Sequence, residues 1–246
     1  MMDKEYISNM ASHLIELAEI LNREGIDVSP LYTISGQLNQ PPLKYKLLPF
    51  KIDIKDDEKF PKKLSHKSSA RNLELFFDLE IECDSTNFVG NKDPFKKYSL
   101  NIVIKGKNKN NANSKLIYAI HFDKHNLEEQ EEGNAPNQAH PAYHFQFGGN
   151  KLEDGEKLDS GRALFLDAPR IMHHPMELIL CIDFILSNFF FPIIWNKIKP
   201  IPAYKKILKQ YQKDFILPYF KSIVEHFEDT QNVWNSQEIY PQLVKR

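Results

Sequence analysis

Three segments in the middle of the chain carry apolar and polar residues in alternation, and this period of two constrains the fold most. Leu73 to Glu82 reads LELFFDLEIE and Tyr98 to Lys105 reads YSLNIVIK, while Leu116 to Phe122 (LIYAIHF) is more uniformly apolar. Successive side chains of a β-strand point to opposite faces, so this alternation is typical of strands with one buried face. The loop GKNKNNANS before the third segment has the composition of a hairpin connection. The sequence therefore predicts consecutive antiparallel strands.

Further strands are expected on both sides of this central run. Tyr45 to Ile54 has strand composition but is interrupted by Pro49. Ala142 to Phe147 alternates aromatic and polar residues, and Arg162 to Asp167 is a short apolar segment. Together these segments predict an antiparallel sheet of four to six strands.

The two ends of the chain read as helical. Residues 3–23 place Leu14, Leu17 and Leu21 at helical spacing, and residues 29–44 hold enough proline and glycine to predict an irregular segment. We expect Tyr204 to Phe227 to form a helix that is kinked or broken at Pro218; its apolar stripe consists of Ile207, Leu208, Tyr211, Phe215, Phe220, Val224 and Phe227.

Strands followed by helices imply an α+β fold, with an N-terminal helix, an antiparallel sheet and a C-terminal helical segment packed on it. A chain of 246 residues fits one domain of this kind, so we expect a single α+β domain over residues 1–246. Its sheet region would span about 45–167 and its helical region about 174–228.

Composition argues against several broad classes of protein. The formal net charge of −1 does not show the basic excess that nucleic-acid-binding proteins usually carry. Two cysteines, Cys83 and Cys181, are too few for a disulfide framework, and Cys83 is expected to be partly exposed at a strand end. The N-terminus MMDKEYISNM does not read as a signal peptide. We therefore expect a reduced, cytoplasmic, bacterial-type protein.

Met176 to Trp195 is about as long as a membrane span, but it contains Asp183, which would cost roughly 3 kcal/mol near mid-membrane. A buried core helix, and no membrane partner, is the prediction. This helix is expected to begin at His174-Pro175, with His174 as its N-cap and Glu177 reaching back as in a capping box. A buried Asp183 needs a partner, and Arg170 is the candidate.

Six of the nine histidines fall between residues 121 and 174. They occur as His121 and His125 around Asp123, as His140 and His144 in HPAYHFQFGG, and as the pair His173-His174. Histidine titrates near neutrality and binds metals, so this region is the candidate site.

Pairing between two strands would bring part of this set together. If the strand carrying His121 and Asp123 lies antiparallel to the strand carrying His144 and Gln146, opposite side chains come within about 5 Å at Cβ. His121, Asp123 and His144 are then a candidate metal site for Zn, Mn or Fe. The same histidines and Asp123 also suit metal-free acid–base catalysis. Structural hydrogen bonding and a solvated sheet face are the plain alternatives.

The candidate catalytic residues are His144, His140 and Asp123, with Arg170 and His173 as groups that would stabilise a phosphate or oxyanion. No nucleophile elbow, phosphate loop or zinc-protease motif is present in the sequence.

Three functions remain open. The first is a non-catalytic subunit or adaptor that binds a protein partner. It is suggested by the missing catalytic motifs and by the Lys-rich face of the C-terminal helix. A role in a mobile-element or defence system is a hypothesis that rests on residue usage typical of an AT-rich gene. The second is a histidine-dependent, metal-assisted hydrolase, phosphodiesterase or nuclease. The third is a nucleic-acid-binding module that uses the lysines at 105, 107, 109 and 115.

Overall fold

The computed structural model describes residues 4–54, 70–84, 93–108, 115–124, 141–148, 171–228, 230, 234–240 and 243. Within them the chain forms an N-terminal helical part, a six-stranded antiparallel sheet and C-terminal helices. The predicted α+β fold is confirmed.

The elements follow one another in an order that separates strands from helices. The strands are β1 (Lys44–Ile54), β2 (Ala70–Cys83), β3 (Phe95–Asn108), β4 (Lys115–Lys124), β5 (Tyr143–Phe147) and β6 (Ile171–Met172). The helices are α1 (Lys4–Asn22), α2 (Ser29–Gln37), α3 (Leu178–Phe189), α4 (Pro192–Ile198), α5 (Pro202–Tyr211), α6 (Leu217–Phe227) and α7 (Ser236–Ile239), and a π-helical turn (Gln212–Ile216) joins α5 to α6.

The sheet is a meander, in which each strand pairs antiparallel with the next along the chain from β1 to β6. The alternation in the sequence sorts its two faces. Leu75, Phe77 and Leu79 of β2 are buried in the core beneath the helices. The opposite face, here called the outer face, carries cross-strand ion pairs such as Lys44–Glu82 and Lys97–Glu80, both 2.7 Å.

Pro49 is accommodated because β1 is an edge strand. The pairing of β1 with β2 shifts register between Leu47 and Phe50, so the proline sits in a bulge. The interrupted strand predicted over Tyr45 to Ile54 is therefore a continuous strand with one irregularity.

The prediction of an irregular segment over 29–44 is wrong, because residues Ser29–Gln37 form α2. Pro30 lies in the first turn, where its missing N–H costs nothing. Leu31 and Ile34 are buried, and Ser35 Oγ donates to the Ala11 carbonyl of α1 at 3.0 Å. Burial against α1 outweighs the weak local signal.

The start of the first C-terminal helix also differs from the prediction. The helix begins at Leu178, and its N-cap is Glu177 rather than His174. The two oxygens of the Glu177 carboxyl group accept the backbone N–H groups of Ile179 and Leu180, both at 2.8 Å. A carboxyl group directly before the first turn satisfies two free donors, which an imidazole at His174 would do less well.

The apolar segment from Met176 to Trp195 forms two helices, α3 and α4, and α3 is largely buried. Among the residues the structure describes, none of the helices has the length and apolarity needed to cross a bilayer. Asp183 of α3 accepts a hydrogen bond from the Tyr204 hydroxyl at 2.8 Å. Arg170, the partner predicted for Asp183, lies outside the described residues, so that pairing stays a prediction.

The irregularity near Pro218 is the π-helical turn just before it. A proline in a regular α-helix removes one hydrogen bond and clashes with the carbonyl four residues earlier. Here the backbone N–H of Leu217 bonds instead to the Gln212 carbonyl, five residues back, and α6 restarts with Pro218 in its first turn. The helix continues without a break.

Cys83 is buried, with 1% of its surface exposed, so the prediction of partial exposure is wrong. Its strand end is covered on the core face, and burial raises the pKa of the thiol. The strand predicted over Arg162 to Asp167 and the loop after Gly106 fall wholly or partly outside the described residues.

Candidate metal centre

The β4–β5 pair determines which histidines meet. Its register places His144 directly opposite Asp123, and Gln146 directly opposite His121. Because side chains two residues apart on a strand share a face, all four lie on the outer face of the sheet. This is one of the pairings that the sequence left open.

His121, Asp123 and His144, here called the His–Asp–His cluster, approach closely enough to share one ion. His144 Nε2 lies 2.8 Å from Asp123 Oδ1, and His121 Nε2 lies 3.8 Å from Asp123 Oδ2. One ligand atom from each residue lies within 4.8 Å of the other two. The imidazole rings of His121 and His144 are 6.2 Å apart at their centroids and nearly perpendicular.

The three side chains of the cluster differ in exposure. The His144 side chain is 2% exposed, the His121 side chain 19% and the Asp123 side chain 38%. Asp123 Oδ1, which faces His144, is shielded from solvent. A small molecule can therefore approach through Asp123 and His121, while His144 forms the floor.

A backbone carbonyl fixes the orientation of His144. Its Nδ1 donates to the Pro141 carbonyl, 3.3 Å away. With the proton held on Nδ1, Nε2 is left facing the Asp123 carboxylate, where it is placed to serve as a metal ligand. Ligand histidines in metal centres are commonly oriented in this way by their other ring nitrogen.

The donor set and the spacing fit a transition-metal ion. Four ligands placed tetrahedrally at about 2.0–2.1 Å from zinc lie about 3.3 Å from one another. In the cluster one ligand atom from each residue lies within 4.8 Å of the other two. The two histidines contact different oxygens of Asp123, at 2.8 and 3.8 Å, so side-chain rotations would be needed to bring three ligand atoms to the spacing of a bound ion. Two imidazoles and one carboxylate leave further positions for water or substrate, as in catalytic zinc and non-haem iron sites.

On the core face of the sheet, Asp93 contacts the residues that adjoin His144 and Asp123 in the chain. These residues are Tyr143, which precedes His144, and Lys124, which follows Asp123; Tyr143 and Lys124 are paired across β4 and β5. Asp93 Oδ1 accepts the Tyr143 hydroxyl at 2.5 Å, and Asp93 Oδ2 lies 2.9 Å from Lys124 Nζ. Lys124 also donates to the Phe95 carbonyl. We call these three side chains the Asp93 clamp.

His173 and His174 lie on the other side of the sheet. The His173 ring packs 4.9 Å from Phe122, and Phe122 packs against Phe184 of α3, so His173 belongs to the core face. Burial lowers the pKa of His173, and burial together with His173 lowers the pKa of His174 to about 3. Both are neutral near pH 7. The sheet therefore separates His173 from the His–Asp–His cluster.

His140, His125 and Arg170 lie outside the described residues, so their proposed roles stay predictions. Two contributors to the site were missed by sequence reasoning, the Pro141 carbonyl and Asp93. A backbone carbonyl carries no residue signal. Asp93, in the turn sequence NKDPF, looks like any polar residue before a strand.

Comparison with known proteins adds nothing to this geometry: no family model, no curated protein and no solved structure matches the chain. Its function has to be argued from the chemistry of the site.

Proposed function

We propose that the His–Asp–His cluster binds a divalent transition-metal ion and that the bound ion activates water for hydrolysis. The observation that carries this proposal is the convergence of three ligand atoms within 4.8 Å from two neighbouring strands. Zinc fits the nitrogen and oxygen donors best, and manganese or iron are the alternatives from the sequence.

The surroundings support a catalytic site rather than a closed structural one. Structural zinc sites usually have four protein ligands, often cysteines, whereas catalytic sites keep a position for water. The described cluster offers three ligands and an approach through the 38% exposed Asp123. A bound ion there would lower the pKa of a water molecule and polarise an ester or phosphodiester.

This chain's own residues would do the remaining work. His144, held by the Pro141 carbonyl, presents Nε2 from the buried floor, and Asp123 reaches both histidines with its two oxygens. Asn101, opposite His121 on β3, is held by Asp78 at 2.9 Å and adds a fixed polar group beside the cluster. These groups bind and orient; they need no movement of the sheet.

The first test is elemental analysis of untagged protein, with the variants Asp123→Asn and His121→Ala. We expect about one equivalent of metal in the wild type and a loss of at least tenfold in affinity in each variant. His13→Gln is the matched control, because His13 lies on α1 with its Nδ1 3.1 Å from the Tyr211 hydroxyl, away from the cluster. Metal-free wild-type protein that takes up no zinc, manganese or iron would contradict the proposal.

Hydrolysis is tested separately with bis(p-nitrophenyl) phosphate and p-nitrophenyl acetate, with and without added metal. Metal-dependent turnover that disappears in Asp123→Asn and persists in His13→Gln is expected. Stoichiometric metal without turnover of either ester would keep the binding site and remove the hydrolytic assignment for these substrate classes.

A further inference from the structure

One exposed line runs the length of α5, the π-helical turn and α6. Its members recur every three or four residues and are all exposed: Lys205, Lys209, Lys213, Leu217, Phe220, Val224 and Phe227. We call this line the docking face. A parallel line on the other side of the same helices is buried in the core and consists of Tyr204, Ile207, Tyr211, Phe215, Tyr219, Ser222 and His226.

The π-helical turn keeps the two halves of the docking face aligned. In a regular α-helix of 3.6 residues per turn, a step of four residues drifts by about 40° around the axis. Three such steps separate Lys205 from Leu217. The wider turn over Gln212–Ile216 takes up that drift, so the lysine half and the apolar half point the same way.

The apolar half is too exposed to belong to the core. Leu217 is 44% exposed, Phe220 47%, Val224 52% and Phe227 72%. Their spacing of three, four and three residues is that of the seam between two packed helices. A row of four large apolar side chains on one helix face marks an interaction site rather than scattered surface residues.

The other half of the face is basic. Residues 202–216 hold four lysines and one acidic residue, Asp214. Asp214 is turned toward α1, where it accepts the Tyr6 hydroxyl at 3.0 Å, so it does not neutralise the lysine row. The docking face therefore has a positive half and an apolar half in line.

We propose that this face binds an amphipathic helix of another protein, with acidic residues at one end and apolar residues at helical spacing at the other. Such a helix places carboxylates on the lysine row while its apolar side chains fill the seam of α6. This function is separate from the metal centre and does not depend on it.

A second copy of this chain fits the face poorly. Parallel pairing would set lysines against lysines, and full antiparallel pairing would bury each lysine row under the other copy's apolar row. Pairing of the apolar halves alone uses 11 residues, about 16 Å of helix, which is short for an interface of standard size. An anionic membrane is also disfavoured, because Glu225 and Glu228 flank the apolar half.

The probe is a synthetic peptide with leucines at seam spacing in one half and glutamates every four residues in the other; its partner peptide carries lysines instead of the glutamates. Fluorescence anisotropy with full-length protein is expected to show at least tenfold tighter binding of the glutamate peptide, weakening as salt is raised. Phe220→Asp and Lys209→Glu should each weaken this binding at least tenfold.

Two matched variants control for the general effect of a new charge. Ile193→Asp replaces an apolar residue of α4 that is 69% exposed, and Lys199→Glu replaces an exposed lysine, both outside the docking face. Both should bind the glutamate peptide within twofold of wild type. Since all four substituted positions are exposed or half exposed, circular dichroism should show unchanged folding.

Three results would overturn the proposal. Equal affinity for the two peptides would remove the charge argument. A dimer in sedimentation velocity that Phe220→Asp abolishes would assign the face to a second copy. Sedimentation with phosphatidylserine vesicles that requires Phe220, without peptide binding, would assign it to a membrane.

Discussion

Glu177 illustrates how one buried carboxyl group makes the stability of the fold depend on pH. The residue is fully buried, and its two oxygens accept the N–H groups of Ile179 and Leu180. Burial raises the pKa of this carboxyl to about 8, and the two backbone hydrogen bonds partly oppose that shift. The folded protein thus binds a proton that the unfolded chain, with a pKa of 4.5, gives up. The contribution of Glu177 to the free energy of unfolding is fully present below pH 4.5 and is lost as the pH rises toward 8.

The variant Glu177→Gln tests this linkage. Because glutamine does not ionise, we expect the fall in unfolding free energy between pH 5 and pH 8 to be smaller than in the wild type. At pH 5 the variant should be less stable, since its amide group cannot accept both backbone N–H groups. Urea unfolding at the two pH values measures both effects. Glu24→Gln, at a surface residue 3.4 Å from Lys197, is the control and should keep the wild-type slope; the same slope in Glu177→Gln would contradict the assignment.

At the scale of elements, the pairing of β4 with β5 brings the residues of the His–Asp–His cluster close together. One register position carries Asp123 and His144 on the outer face, and the next carries Lys124 and Tyr143 on the core face. Asp93 holds the second pair together from the start of β3. We expect these contacts to help hold the two strands in register, and so to help position the ligand atoms on the opposite face.

The variant Asp93→Asn is expected to weaken metal binding by 10- to 100-fold, the usual effect of losing a group that orients metal ligands. Cobalt substitution provides the readout, because the visible absorption of Co²⁺ reports ligand geometry, which a general loss of stability would leave unchanged. Glu74→Gln, which removes the Lys51–Glu74 ion pair of 2.5 Å between β1 and β2, is the matched control. Equal cobalt spectra and affinities in the wild type and Asp93→Asn would show that the clamp has no part in positioning the ligands.

At the scale of the whole molecule, the His–Asp–His cluster and the docking face lie on different layers. The cluster is on the outer face of the sheet, and the docking face is on helices that pack against the core face through contacts such as Tyr143–Tyr219. A catalytic and a protein-binding role are therefore compatible in one chain. The adaptor and hydrolase hypotheses do not exclude each other, because they use different surfaces of the chain.

Metal binding should stabilise the entire fold, because the ligands come from two strands in the sheet. At a free metal concentration 100 times the dissociation constant, a site that exists only in the folded state adds about 2.7 kcal/mol. For a chain of this size that corresponds to a rise of roughly 5–10 °C in melting temperature. Calorimetry before and after EDTA, and after zinc is restored, measures it. Asp123→Asn should melt at one temperature under all three conditions, and a wild type that also does so would contradict metal binding.

The sequence by itself determined the features that depend on local periodicity. The alternation in Leu73–Glu82 and Tyr98–Lys105 identified strands and sorted their buried and outer faces, because each side chain follows its neighbours two residues away. Prediction from the sequence failed where local signals compete, as in α2, where Pro30 lies in the first turn of a helix rather than in a loop. The start of α3 was misplaced for the same reason, since either His174 or Glu177 can precede a first turn.

The tertiary structure alone decided which residues share a site. A slip of one residue between β4 and β5 would turn every side chain of a strand to the other face, and the sequence does not fix that register across the long connection. The observed pairing puts Asp123 against His144 and leaves His173 beneath the sheet. Burial of Glu177, the Asp93 clamp and the exposure of α6 likewise depend on packing between segments far apart in the chain. Local patterns name the elements, but contacts over long sequence distances bring their residues together.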